Sequence, residues 1–314
     1  VAAVRERKRF FVQENETGGV QNMSYILFTD SNSDIPFQEV DRYDLKIVYM
    51  PYSIDGSDEA SDLGRGDVIP NFYAAMRGGK TPTTSLLTKE KYIEYFEPYL
   101  ADGEDILFIC FSSELSGTYA NAVLAQRELA EKYPNARLEV INSRNVSMGE
   151  AYLAMEAAKQ RVEGKTMDET IAWLEGNKYN VRYWFTVDDL KYLKRGGRIS
   201  AATAAVGTLL NIKPMLTVTR GGKLISVDKE KGRRRAIRRL VKNMAEEIID
   251  PEKQVVSILQ ADCPEDAQAL VDYMTETIPG VQYRIEKVGP TICAHAGPGT
   301  LAVVFLGAER EREE

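Results

Sequence analysis

The stretch "DILFICFSSELSGTY", residues 105–119, runs from an apolar segment into a loop of serines and then into a helix-forming segment that continues to Tyr133. An apolar run closed by Ser and Gly residues reads as a strand feeding a helix, the repeating unit of a layered α/β domain. The same succession recurs on either side. Strands are expected at 25–30, 45–54 and 137–143, and helices at 66–78, 87–100, 116–133 and 147–164. Gly164 and Lys165 mark a boundary, followed by a capped helix at "TMDETIAWLEGNK", so an N-terminal α/β domain over residues 23–165 is expected.

The second half of the chain has a different texture. Six strand-like segments, at 181–187, 213–219, 223–228, 254–262, 281–289 and 300–307, alternate with only two clear helices, 232–250 and 263–278. This pattern predicts an α+β domain over residues 166–310 with a mixed or antiparallel sheet. A ligand cleft is expected between the two domains. Residues 1–22 lack periodicity and read as an upstream extension, expected to be mobile.

Composition narrows the class. Hydrophobic residues make up 44% and charged residues 28% of the 314, as in ordinary globular proteins. The formal net charge of -7 argues against a general nucleic-acid binder. No apolar run reaches the ~20 residues of a membrane span. Cys110, Cys263 and Cys293 are isolated and odd in number, which suits neither a disulfide framework nor a metal cluster and fits a reducing cytoplasm.

Two nucleotide motifs nearly match and fail. Gly79-Lys80-Thr81 has the ending of a phosphate-binding loop, but Ala74 stands where the first glycine is needed and a helix precedes it. "GPGTLA" at 297–302 fits a loose dinucleotide fingerprint but leads into a strand, where that motif must open a helix. There is no nucleophile elbow.

What remains is a set of hydroxyl-rich loops following the predicted strands: "FTDSNSD", "TPTTS" (81–85), "FSSELSGTY" (111–119) and "INSRNVSMG". Ligands of open α/β sheets bind beyond the carboxyl ends of the strands, where helix N-termini favour an anion. Each loop alone is an ordinary helix cap. Together they suit a carboxylate or a phosphate. "KRGGRIS" places Arg198 before a small-residue, apolar segment holding Val206, Leu209, Leu210 and Ile212, which is either ordinary core or the wall of an apolar ligand site. "KEKGRRRAIRRLVKN" (229–243) carries eight basic residues and one acid. It is a solvated face or a docking surface for an acidic or phosphate-bearing partner.

Taken in order, "TDSNSDIP", "TPTTS", "FSSELSGTY", "NSRNVSMG", "VDDLKYLKRGGRIS", "LLNIKPML", the basic helix and "AHAGPGT" resemble the DegV family from Tyr25 to Gly307. This bacterial family comprises fatty-acid-binding proteins that serve as acyl-binding subunits of fatty acid kinase. The resemblance implies a two-domain α/β protein that buries a long-chain fatty acid and has no other cofactor, no metal and no complete catalytic machinery of its own. It implies carboxylate contacts at Thr84, Ser85, Ser112 or Ser113, Arg198 and His295, the only histidine of the chain. Val206, Leu209, Leu210 and Ile212 would then line the acyl tunnel. A partner kinase would dock on Lys229, Lys231, Arg233, Arg234 and Arg235 and phosphorylate the carboxylate to acyl-phosphate for phospholipid synthesis. Lys231 stands where the family's "K-x-R-G" has arginine. It keeps the charge and loses the bidentate fork.

Two rival readings come from other classes. One is a serine hydrolase or acyltransferase built on Ser113, with His295 as base and Asp30 as its orienting group. The other is a regulatory module that binds nucleic acid through the 229–243 helix.

Overall fold

The structure, a computed structural model, describes residues 25–200 and 211–311. The leader and the tunnel candidates Val206, Leu209 and Leu210 lie outside the described residues.

The first sheet is parallel throughout. Its strands β1 (Ile26–Asp30), β2 (Lys46–Val48), β6 (Ile106–Cys110) and β7 (Leu138–Asn142) stand in the order β2-β1-β6-β7. All five residues of β6 are buried, because helices cover both faces of the sheet. α1 (Phe37–Tyr43) and α2 (Val68–Arg77) precede α3 (Lys89–Ala101) and α4 (Thr118–Lys132). These last two cover one face through Tyr92, Phe96 and Leu129, where Phe28 meets Phe96 edge to face at 5.2 Å. α5 (Met148–Val162) covers the other. Its small residues, Ala151, Ala154, Ala157 and Ala158, let it lie close against the sheet while facing the second half of the chain.

The single strand expected at 45–54 is two. Tyr49–Pro51 leaves the sheet, and its free backbone donors find side chains: Tyr49 N–H donates to Tyr95 Oη at 3.1 Å and Met50 N–H to Ser31 Oγ at 2.9 Å. Pro51 has no N–H to pair. The chain then enters a small antiparallel sheet of β3 (Tyr52–Ile54), β4 (Ser57–Glu59) and β5 (Thr83–Thr84), in the order β4-β3-β5. Alternation alone did not reveal this sheet, whose strands are only two or three residues long.

α6 (Met167–Asn177) starts with a complete capping box on Thr166 and Glu169. It packs on α5, and Tyr25 Oη donates to Thr170 Oγ1 at 2.8 Å, so this helix lies against the first layer. The second sheet follows: β8 (Val181–Thr186), β9 (Ile212–Val218), β10 (Leu224–Lys231), β11 (Val255–Gln260), β12 (Gln282–Lys287) and β13 (Leu301–Leu306). Their order is β10-β9-β8-β13-β11-β12, mixed because only β11 and β12 run parallel. The short α7 (Lys191–Arg195) follows β8.

Helices α8 (Arg233–Glu247) and α9 (Pro264–Thr277) cover one face of this sheet through Leu240, Met244 and Leu270. The opposite face presents Phe185, Leu216, Leu259 and Ala302 to the core shared with the first half. One further helix, α10 (Pro290–Ala296), is not among the helices expected from sequence. Pro290 opens it, where the missing N–H costs nothing. Both sheets, the parallel α/β layer and the mixed α+β layer, have the expected class. Among the described residues no helix is long and apolar enough to cross a membrane, and no cluster of three or more metal-ligating side chains occurs.

Candidate ligand cavity

Between the two sheets lies a cavity of about 370 Å³. Its wall is mostly apolar, with Phe111, Phe185, Leu193, Leu259 and Ile292 among the contributors. Each of the four hydroxyl loops reaches it: Asn32 from the first, Thr81–Leu86 from the second, Leu115 and Ser116 from the third, Val146 and Ser147 from the fourth. The loops meet there because β1, β6 and β7 are parallel, which brings their carboxyl ends to one edge of the sheet.

The polar end is built on His295. This residue sits in the last turn of α10, where its Nε2 pairs with Thr84 Oγ1 at 2.8 Å. Its Nδ1 has no hydrogen-bond partner and packs against the backbone of Gly196. A Cβ on Gly196 would come within 2.1 Å of that nitrogen, so only glycine lets the imidazole sit there. Arg198 and Arg195 flank the ring. Burial, then the charges of Arg198 and Arg195, lower the imidazole pKa to about 4. At neutral pH the ring is uncharged. Arg198 is itself held in place, donating through Nε to the Leu115 carbonyl at 2.9 Å and through Nη1 to the Gly196 carbonyl. Ser85 and Leu86 beside Thr84 are exposed, so this polar end opens toward solvent.

Thr84, Ser85, Arg198 and His295 are thus brought together at the cavity. Ser112 and Ser113 are not on its wall. Ser112 is fully buried and donates to the Gly222 carbonyl at 2.9 Å, while Ser113 Oγ accepts from Asn142 Nδ2 at 2.8 Å. Both serines tie the 111–116 loop to its neighbours. The hydroxyl of that loop at the cavity is Ser116, paired with Thr118 Oγ1 at 2.5 Å; its place just before the helix start was the available signal. Ile212 also lies off the wall, at the start of β9 opposite Lys231.

The hydrolase constellation is not assembled. Ser113 pairs with Asn142, His295 with Thr84, and the Asp30 carboxylate accepts from the backbone N–H groups of Asn32 and Phe111. Of the basic candidates, Lys229, Lys231, Arg234 and Arg235 are exposed. Arg233 turns inward to Asp266, at 2.7 Å, and joins α8 to α9.

A family profile described as "Uncharacterised protein, DegV family" matches residues 25–308. The chain belongs to the DegV family. A DegV domain-containing protein of Clostridium perfringens is 38% identical over 287 residues, covering 91% of this chain and 99% of that one. A DegV domain-containing protein of Lactococcus lactis is 32% identical over 93% of this chain and 100% of its own. Among solved structures, a DegV lipid-binding protein of Thermotoga maritima superposes with a TM-score of 0.78 at 27% identity, covering 92% of this chain and all of that one. A DegV family protein of Thermus thermophilus, described by its fatty acid binding, gives 0.79 at 27% identity, with 91% and 100% covered. DegV relatives therefore share both sheets seen here.

Proposed function

We propose that this protein binds a long-chain fatty acid in the cavity between its sheets and presents the carboxylate at the Thr84–His295 end. One observation carries the reading: a mostly apolar cavity with a solvent-facing end at which Thr84, His295 and Arg198 converge. Each methylene taken from water contributes about 0.8 kcal/mol, so a long chain supplies ample driving force. The carboxylate must be met by donors, or its desolvation offsets that gain.

A neutral imidazole serves if its proton is on Nε2. The ring then donates to Thr84 Oγ1, which frees the threonine proton for the ligand carboxylate. Arg198 adds a fixed positive charge. Ser85 and Ser116 are further hydroxyl-bearing residues of the cavity wall. The Thermus relative described by its fatty acid binding and the lipid-binding Thermotoga relative support the reading, since they share the fold over nearly the whole chain.

The protein acts as the acyl-binding subunit of a kinase and has no phosphoryl-transfer machinery of its own. Support comes from the exposed polar end and from α8. Three arginines occupy its first turn, with no acidic residue there. Arg233 is taken up by its ion pair with Asp266, but Arg234 and Arg235 are exposed cations that oppose the macrodipole, so stability does not account for these two. An acidic partner surface does. The test mixes the protein, oleate, ATP and a bacterial fatty acid kinase catalytic subunit, and traps acyl-phosphate with hydroxylamine. Hydroxamate that requires this protein and falls on joint replacement of Arg234 and Arg235 by glutamate is expected. Oleate binding without any hydroxamate would confine the protein to storage or transport.

A further inference from the structure

The mixed sheet has two edges, and they differ. β10 ends it on one side, where a register shift between Ser226 and Asp228 and the exposed charges of Asp228, Lys229 and Lys231 blunt the strand. β12 ends it on the other. Its six residues, Gln282–Lys287, pair without a break with β11, and no proline or bulge interrupts them. Tyr283 and Ile285 stand on this edge 43% and 41% exposed.

The phase of the backbone bonds fixes what the edge offers. Val288 N–H donates to the Gln260 carbonyl at 3.0 Å, so Arg284 and Glu286 turn their backbone groups toward β11. Tyr283, Ile285 and Lys287 therefore turn theirs outward, where no strand pairs with them among the described residues. Arg284 and Glu286 share one face, roughly 7 Å apart along the strand. Arg284 Nη1 reaches Glu39 at 3.3 Å, while its Nη2 stays accessible and unbonded. Glu286 makes no hydrogen bond or ion pair among the described residues. Partial burial raises its pKa, against the charge of Arg284 and reinforced by Glu39. This carboxylate is short of a cation.

We propose that β12 is a self-complementary edge through which two copies of this chain pair antiparallel about Ile285 and join their mixed sheets. In that register Ile285 faces its own counterpart and exchanges both backbone bonds with it. Arg284 stands opposite Glu286 of the second copy in a non-hydrogen-bonded pair, where side chains approach most closely, and symmetry repeats the contact. Tyr283 stands opposite Lys287, which sets a cation beside an aromatic ring. Centring the pair on Arg284 or on Glu286 would instead set like charges face to face. The twofold contact uses up the edge, so assembly closes at two copies. No residue of β12 lines the cavity, so fatty-acid binding is independent of this contact.

The experiment is sedimentation equilibrium of the full chain over a range of concentrations, which should show a monomer–dimer equilibrium. Glu286→Arg places like charges opposite each other twice and should weaken the dimer at least about ten-fold. Combining it with Arg284→Glu restores both pairs with their signs exchanged and should recover the dimer. Ile285→Pro removes an outward N–H and no bond to β11, so it should abolish the dimer while oleate affinity is unchanged. An unmodified protein that stays monomeric up to about 1 mM would overturn the proposal. So would a dimer indifferent to Glu286→Arg and Ile285→Pro. Far-UV circular dichroism and urea unfolding identify any variant that has lost its fold, and the unmodified protein together with the remaining variants then decides.

Discussion

His295 is the only histidine among 314 residues, so its imidazole gives one uncrowded NMR signal. In the ligand-free protein that signal should titrate near pH 4, because burial and two arginines oppose its charge. A bound carboxylate favours the protonated ring, so loading with fatty acid should move the midpoint upward. A ligand-free midpoint at the usual 6.5 would contradict the packed, desolvated setting. Thr84→Val removes the hydroxyl that the imidazole orients. Hydrogen bonds to charged groups are worth about 1.5–3 kcal/mol, so oleate affinity by displacement should fall roughly ten- to hundred-fold. An unchanged affinity would take Thr84 out of the site. His295, Thr84 and Arg198 were legible in the sequence because the motifs around them are distinctive. Ser112 and Ser113 were not separable from Ser116 by sequence: all three are hydroxyls in one loop, and only packing against Gly222 and Asn142 takes the first two away.

Helix α10 and the turn at Gly196 position the imidazole, and their glycines make the contrast testable. In Gly196→Ala the new methyl would lie 2.1 Å from His295 Nδ1, so the ring must move. Fatty-acid affinity should drop while urea unfolding stays cooperative. Gly176 lies within α6, at ordinary φ with nothing within 4 Å of a built Cβ. Gly176→Ala should leave affinity alone and stabilise the protein by roughly 0.5–1 kcal/mol, read from the denaturation midpoint. Equal effects of the two substitutions would rule out a positioning role for Gly196. The long strands and amphipathic helices were readable because their periodicity extends over many residues. The β3–β5 sheet and α10 were not. Strands of two or three residues and a seven-residue helix hold too few positions for a period, and tertiary contacts such as Asp34 with Gly289 fix them instead.

The two layers share one core, and buried carboxyls lie where they meet. Desolvation raises Asp30 to about 6 and Asp34 to about 7, and pushes Glu150 upward as well, with Asp30 beside it adding to the rise. A carboxyl raised on folding binds its proton more tightly in the native state. Its contribution is therefore full below the unfolded value near 4 and is lost as pH rises through the native value. His295 works in the opposite sense, since its lowered pKa removes stability as pH falls from about 6.5 to about 4. The Asp34 share can be isolated by comparison with Asp34→Asn. Between about pH 4 and pH 7 the unfolding free energy of the unmodified protein should fall relative to that variant, with a slope of at most about 1.4 kcal/mol per pH unit. Parallel pH profiles for the two proteins would show that Asp34 titrates normally. The expected two-layer architecture followed from the contrast between strand-helix alternation before residue 165 and clustered strands after it. The cleft between the layers was expected too, but which residues of each half line it could not be read from either half alone.

The most direct test of the central claim is native mass spectrometry of the purified protein, with the small molecules released on denaturation identified. A single bound fatty acid, retained by the unmodified protein and lost from His295→Ala, is the predicted result. A protein that carries nothing and takes up neither oleate nor palmitate would contradict it.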